Sequence, residues 1–146
     1  MRQDVYSRWL ELNGEEDYDT LREANNLANS FAQLQRFEEA KALLGKTIPA
    51  ARRVLGESHE LTLRMKKVYA DTLYMDPTAT LDDLREAVTT LEETEPLARR
   101  VLGGVHPLTV DIERELRSVR AVLRARESGD VESIREAVGA MTARDA

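Results

Sequence analysis

The sequence predicts an all-α protein in which antiparallel helix pairs stack into a right-handed superhelix, with about three pairs and one leading helix. The clearest observation is a duplicated stretch, Pro49–Gly56 and Pro96–Gly103, which reads Pro-x-Ala-Arg-Arg-Val-Leu-Gly in both copies. Each copy is soon followed by His-x-Leu-Thr, beginning at His59 and at His106. A repeated helix end followed by a repeated helix start is typical of a repeat protein.

Composition agrees with a helical fold and excludes several kinds of site. Charged residues make up 33% of the chain and aromatic residues 5%, and there is no cysteine. Disulfides and thiolate metal sites are therefore excluded, which suits a cytoplasmic protein. No apolar run is long enough to predict a membrane span. The net charge of −6 argues against general binding to nucleic acid, which needs a basic surface. We expect neither a membrane nor a nucleic-acid partner.

The first predicted helix covers residues 1–13 and ends at Asn13-Gly14, a glycine stop. Its apolar residues recur at helical spacing: Val5, Tyr6, Trp9, Leu10 and Leu12. In register with the later units, this helix corresponds to the second helix of a preceding unit. It is therefore either an amino-terminal cap or the end of a longer array. We expect Trp9 to pack on the first unit.

The rest of the chain divides into three units within one domain. The domain is 1–146, and the units are 14–56, 57–103 and 104–142. In unit one, Asp17 is the predicted N-cap of the first helix, and Phe37 opens the second helix. Pro49 lies inside that second helix, where the loss of a backbone hydrogen bond predicts a kink.

Units two and three begin with a histidine at equivalent positions, His59 and His106. Repeat-equivalent residues stand about one unit apart in space, so we expect helix caps and not a metal site or a general base. Thr80 and Asp83 predict a capping box for the second helix of unit two. A last, shorter helix is predicted from Val131 to Met141. Its apolar face comprises Ile134, Ala137, Val138 and Met141.

Further spaced residues recur along the units. They include Asn25-Asn26-Leu27-Ala28, Phe37-Glu38-Glu39-Ala40 and Arg53-Val54-Leu55-Gly56 before His59. In these residues the chain resembles tetratricopeptide repeats (TPR) of the kinesin-light-chain type, over about residues 14–126. The resemblance implies helix pairs that form a concave groove for extended peptides or partner surfaces. Unit three departs from the pattern because Arg117 replaces the small residue found at Ala28 and Ala70, so we expect a terminal or degenerate repeat.

The resemblance also implies that the first helix of each pair lines the groove. The predicted groove residues are Arg22, Asn25, Asn29 and Gln33 in unit one; Arg64, Lys67, Asp71 and Tyr74 in unit two; and Asp111, Arg114, Ser118 and Ala121 in unit three. Basic residues outnumber acidic ones in this set. Because arginine can bind a carboxylate through two hydrogen bonds, we expect an acidic or C-terminal-carboxylate peptide across Asn25, Lys67 and Arg114. The alternative is an ordinary solvated face in which the cations pair with neighbouring carboxylates.

The basic stripe of Arg114, Arg117, Arg120 and Arg124 leaves the same two interpretations, an anionic partner or a salt-bridged helix face, and nearby glutamates favour the second.

The predicted function is a protein-interaction adaptor or scaffold that is not an enzyme. The sequence contains no nucleophile elbow, P-loop, dinucleotide fingerprint or metal-ligand cluster, so we expect no cofactor and no metal. The partner is expected to be a protein or peptide. The alternative is a structural subunit that stacks end to end or dimerises through its terminal helices, the Trp9 helix and the Val131–Met141 helix, because solenoid ends expose apolar faces unless they are capped.

Overall fold

The computed structural model describes residues 2–129, 135 and 138–141. No β-strand occurs in this part of the chain. Six helices lie within residues 2–129, and residues 135 and 138–141 are also helical. The helices are α1 (Arg2–Asn13), α2 (Tyr18–Gln33), α3 (Phe37–Leu55), α4 (Glu60–Tyr74), α5 (Leu81–Leu102) and α6 (Pro107–Ser128).

The helices form two layers. Each helix packs on the next one in the sequence, and α2 also packs on α4, as α4 does on α6. Helices α2, α4 and α6 therefore form one layer, and α3 and α5 lie in the other. This is the α-α solenoid that the sequence predicts.

The leading helix α1 packs on α2 through one face. Tyr6 is buried and Trp9 is half-buried, while Thr20 of α2 donates a side-chain hydrogen bond to the Trp9 carbonyl (3.1 Å). Val5 and Leu12 lie outside this contact, with 40% and 71% of their surface exposed. The predicted apolar face of α1 is therefore only partly used for packing within the chain.

The predicted N-caps are confirmed. Asp17 accepts a hydrogen bond from the Thr20 backbone N–H (3.1 Å). At α5, the Thr80 hydroxyl accepts from the Asp83 N–H (3.1 Å) and the Asp83 carboxylate accepts from the Thr80 N–H (2.9 Å). These bonds satisfy backbone donors that have no partner within the helix.

His59 and His106 are the N-caps of α4 and α6, as predicted. In each ring Nδ1 accepts a backbone N–H two residues later, from Leu61 (3.0 Å) and from Leu108 (3.1 Å). An accepting Nδ1 carries no proton, so a neutral ring carries its proton on Nε2. Both histidines therefore serve in helix initiation.

The duplicated stretch ends α3 and α5. Gly56 and Gly103 follow the last helical residue with φ of 98° and 92°, a region that side chains other than glycine rarely adopt. Each glycine stops one helix and turns the chain toward the next helix of the α2, α4 and α6 layer.

Two hydrophobic cores meet at α4. The first core joins α1, α2, α3 and α4, and the second joins α4, α5 and α6. Met65 and Val68 belong to the first core, Leu63 and Leu73 belong to the second, and Tyr69 packs against both. Helix α4 is therefore the element that holds the two halves of the stack together.

Two predictions about the carboxyl-terminal part have different outcomes. Arg117 is exposed on α6, so this large residue does not enter the core at the position where Ala28 and Ala70 are buried. In the predicted helix 131–141, Ile134 and Ala137 lie outside the described residues. Met141 is described and packs against the second core.

We expect Thr80→Ala to lower the free energy of unfolding by about 1 kcal/mol, because α5 would lose half of its capping box. Chemical denaturation monitored by circular dichroism measures this change. Thr89→Ala is the matched control, since Thr89 is exposed in the middle of α5 and alanine is a good helix former there. Equal losses in both variants would contradict a capping role.

Candidate partner-binding groove

Two adjoining pockets lie along the layer of α2, α4 and α6. The amino-end pocket, of about 470 Å³, is lined mainly by the first halves of these helices. The carboxyl-end pocket, of about 280 Å³, is lined by residues further along each helix. Asn29, Lys67 and Asp111 line both pockets. Because the order is the same on all three helices, the helices run in the same direction and the pockets form one groove.

Most predicted groove residues line these pockets. They are Arg22, Asn25, Asn29, Gln33, Arg64, Lys67, Asp71, Asp111 and Arg114. The predicted groove position of Tyr74 is wrong, because this residue is 3% exposed and belongs to the second core. Ser118 is 8% exposed and Ala121 is half-buried, and neither lines these two pockets. Counting along one helix does not show where the neighbouring helices cover it.

The predicted excess of basic side chains is not found at the pocket walls. Four basic and four acidic side chains line the two pockets together: Arg22, Arg64, Lys67 and Arg114, with Glu60, Asp71, Asp111 and Glu115. Glu60 and Glu115 were absent from the sequence-based set, and they balance the charge. The groove is still less acidic than the whole chain, whose net charge is −6.

Three of the four cations are exposed and form ion pairs with exposed carboxylates on their own helix. The pairs are Arg22 with Asp19 (3.1 Å), Arg64 with Glu60 (3.4 Å) and Arg114 with Asp111 (3.6 Å). All six side chains are 40–49% exposed. Exposed pairs of this kind contribute little to stability, about 0–1 kcal/mol, so a partner's carboxylate could replace any of the three acids at small cost.

Lys67 lies in a different environment. Its ammonium is 3.3 Å from the Asp71 carboxylate on α4 and 3.1 Å from the Glu115 carboxylate on α6. Asp71 is 7% exposed and Glu115 4%. Burial alone disfavours the ammonium, but attraction and hydrogen bonding to the two carboxylates outweigh it and raise the pKa of Lys67 above its ordinary value of 10.5. Lys67 therefore links adjacent groove helices.

The amino-terminal ends of the groove helices are also linked. The rings of Tyr18 and His59 lie edge to face, with centroids 6.0 Å apart. His106 Nε2 is 3.2 Å from the Glu60 carboxylate. Since Nδ1 of His106 accepts from the backbone, its Nε2–H is the donor to Glu60. These contacts set the spacing of the three helices at one rim of the groove.

The two ends of the groove differ in charge. Arg22 and Arg64 line only the amino-end pocket, with one carboxylate, Glu60. Asp71 and Glu115 line only the carboxyl-end pocket, with one cation, Arg114. The positive ends of three parallel helix dipoles reinforce the difference, because they lie at the amino end. The groove therefore runs from a positive to a negative pocket.

Glu60 and Glu115 are the charged groove residues that the sequence analysis missed, and Glu115 was the harder to find. The ion pair between Lys67 and Asp71 is predictable from the sequence, because the two residues are four apart on one helix. Glu115 belongs to the next unit, and only the stacking of α4 on α6 brings it to Lys67. The basic stripe on α6 is partly ion-paired, with Arg120 2.8 Å from Glu92, which favours the salt-bridged interpretation.

No group of three or more histidine, aspartate or glutamate side chains able to hold a metal ion lies within the described part of the chain. None of the described helices is both long and apolar enough to cross a membrane.

We expect Lys67→Met to lower the free energy of unfolding by about 1–3 kcal/mol, because two nearly buried carboxylates would lose their cation. Because the pKa of Lys67 is raised in the folded protein, this stabilisation is complete at pH values below 10.5. It is lost as the pH rises through the higher pKa that Lys67 has in the folded state. The gap between wild type and Lys67→Met should therefore shrink at strongly alkaline pH.

Urea denaturation at several pH values measures this gap. Arg64→Met is the matched control, since Arg64 lies on the same helix with an exposed pair, and it should cost less than about 0.5 kcal/mol. A Lys67→Met effect no larger than the control would refute the buried link between α4 and α6.

Comparison with known protein families gives one match. Residues 20–60 match the model described as tetratricopeptide repeat. The matched segment covers nearly all of α2, the whole of α3 and the start of α4. No curated protein matches the chain significantly. The kinesin-light-chain subtype is not identified by this match. Together, the match and the two helical layers identify the fold as an α-α solenoid of the tetratricopeptide-repeat type.

Proposed function

We propose that the chain is a non-catalytic interaction module that binds an extended segment of a partner protein in the groove of α2, α4 and α6. The observation that carries the proposal is the continuous polar groove on three parallel helices, with side chains from successive units at equivalent positions. Tetratricopeptide repeats are generally protein-interaction modules, which supports the same conclusion.

The side-chain amides of α2 support binding to a peptide main chain. Asn29 and Gln33 are exposed in the groove. The Oδ1 atom of Asn25 is shielded from solvent and has no hydrogen-bond partner among the described residues. An amide side chain offers both a donor and an acceptor, which is the combination that an extended backbone requires. A backbone N–H from a partner would satisfy the Asn25 oxygen.

The amino-end pocket supports an acidic group on the partner. Arg22 and Arg64 have side chains 45% and 47% exposed; Arg64 pairs with the exposed Glu60, and Arg22 pairs with the exposed Asp19 and, at 3.7 Å, with the nearly buried Glu23. A partner carboxylate could form charge-assisted hydrogen bonds with both guanidinium groups. Lys67, which the sequence suggested as the centre of an acidic-peptide site, is already held by two carboxylates. We therefore assign the acidic group to Arg22 and Arg64.

We further propose that the repeats are of the kinesin-light-chain type. Support comes from the Leu-Gly-x-x-His pattern at Leu55–His59 and Leu102–His106, in which both histidines cap the next groove helix. The cytoplasmic location expected from the sequence stays a prediction.

A second candidate function is assembly through the end of the solenoid. The observation that favours it is the exposure of Val5 and Leu12 on α1, beside the half-buried Trp9. A second copy packing on this face would bury these apolar side chains. Light scattering over a range of concentrations separates the two candidates, since end-to-end assembly requires a mass that rises with concentration.

Selection of a random peptide library on the immobilised protein tests the groove. We expect synthetic versions of the selected peptides to bind Arg22→Glu with Arg64→Glu about tenfold more weakly than wild type, because the reversed charges repel the acidic group. Arg8→Glu with Arg100→Glu makes the same charge change at exposed positions outside the two pockets and should bind as wild type does. The proposal fails if no peptide is selected, or if both double variants bind equally well.

A further inference from the structure

We infer that the carboxyl-end pocket binds a basic side chain, lysine or arginine, of the partner segment, with Asp71 as its carboxylate ligand. The inference rests on the proposed function and adds the chemistry of a second subsite. The carboxyl-end pocket would bind a basic group, whereas the amino-end pocket is proposed to bind an acidic one.

The carboxyl-end pocket is lined by more acidic than basic side chains. Asp71 and Glu115 are both nearly buried, and the single ammonium of Lys67 lies between them. Across the pocket wall, the carboxylates of Asp71, Asp111 and Glu115 outnumber the cations of Lys67 and Arg114 by one. Arg114 lies beside Asp111, at 3.6 Å. Because the pocket carries this excess of negative charge and two of its acids are nearly buried, a further cation would be bound favourably.

One carboxylate oxygen of Asp71 has no hydrogen-bond partner among the described residues. Asp71 is 7% exposed and lines the pocket, and its Oδ2 contacts Lys67. Its Oδ1 is shielded from solvent and has no hydrogen-bond partner among the described residues. A buried acceptor left in this state costs about 1–3 kcal/mol, more when it is charged. An N–H donor entering the pocket would remove this cost.

The remaining pocket wall fits a long basic side chain. Ala32 and Met75 provide apolar contact for a methylene stem, and the exposed amides of Asn29 and Gln33 provide acceptors near its polar end. The volume of about 280 Å³ has room for one such side chain rather than a folded element. An acidic side chain would instead face two buried carboxylates.

The inference gives the partner segment a polarity. An acidic group would lie against Arg22 and Arg64, and a basic side chain would lie beside Asp71, further along the same helices. Reversing the segment would place like charges together at both ends. The two pockets together therefore favour one direction of binding.

The test uses peptides selected on the wild-type protein and measures their affinities by isothermal titration calorimetry. We expect them to carry a basic residue at a fixed distance from an acidic one. Replacing that residue by its neutral counterpart, citrulline for arginine or norleucine for lysine, should weaken binding to wild type about tenfold. The same replacement should leave binding to Asp71→Asn unchanged. Asp82→Asn, an exposed aspartate on α5, should behave as wild type does.

The outcomes separate this inference from the proposed function. The selected peptides could bind the double variant Arg22→Glu/Arg64→Glu more weakly and yet contain no basic residue that binding requires. That result would overturn the basic subsite and leave the groove as the binding surface. Failure to select any peptide would overturn both. Because the peptide substitutions do not alter the protein, the loss of affinity for wild type does not depend on the stability of Asp71→Asn. Circular dichroism verifies separately that Asp71→Asn is folded.

Discussion

The structure depends on the burial of α4 between two hydrophobic cores. Leu63 and Met65, two residues apart on this helix, are fully buried in different cores, and Tyr69 contacts both. A helix packed on several sides cannot shift without opening one core. The polar strip of α4 that includes Lys67 is therefore held in a fixed place, and that strip forms the centre of the groove.

The same strip connects stability with recognition. Lys67 joins α4 to α6 through Glu115, at the point where the two pockets meet. Asp71 and Glu115 stabilise the ammonium, and together they leave the carboxyl-end pocket negative. The residue that holds adjacent units together is thus also one that sets the charge pattern of the groove. Binding there and the alignment of the units are expected to be coupled.

Much of the fold could be predicted because it depends on local signals. Asp17, Thr80 and the two histidines start helices through bonds within a few residues, and Gly56 and Gly103 stop α3 and α5. The site was predicted less completely because it depends on how units stack. Tyr74 was predicted to line the groove and lies in the core, whereas Glu115 lines the groove and was not among the predicted groove residues. Neither position can be judged from one helix alone.

Partner binding in the groove of α2, α4 and α6 can be observed residue by residue in a ¹⁵N-resolved NMR titration of the protein with a selected peptide. If the partner binds in the groove, the side-chain amide signals of Asn25, Asn29 and Gln33 shift together with backbone signals of α4 and α6. Shifts concentrated instead on α1 around Val5 and Leu12, with these three amides unchanged, would contradict binding in the groove.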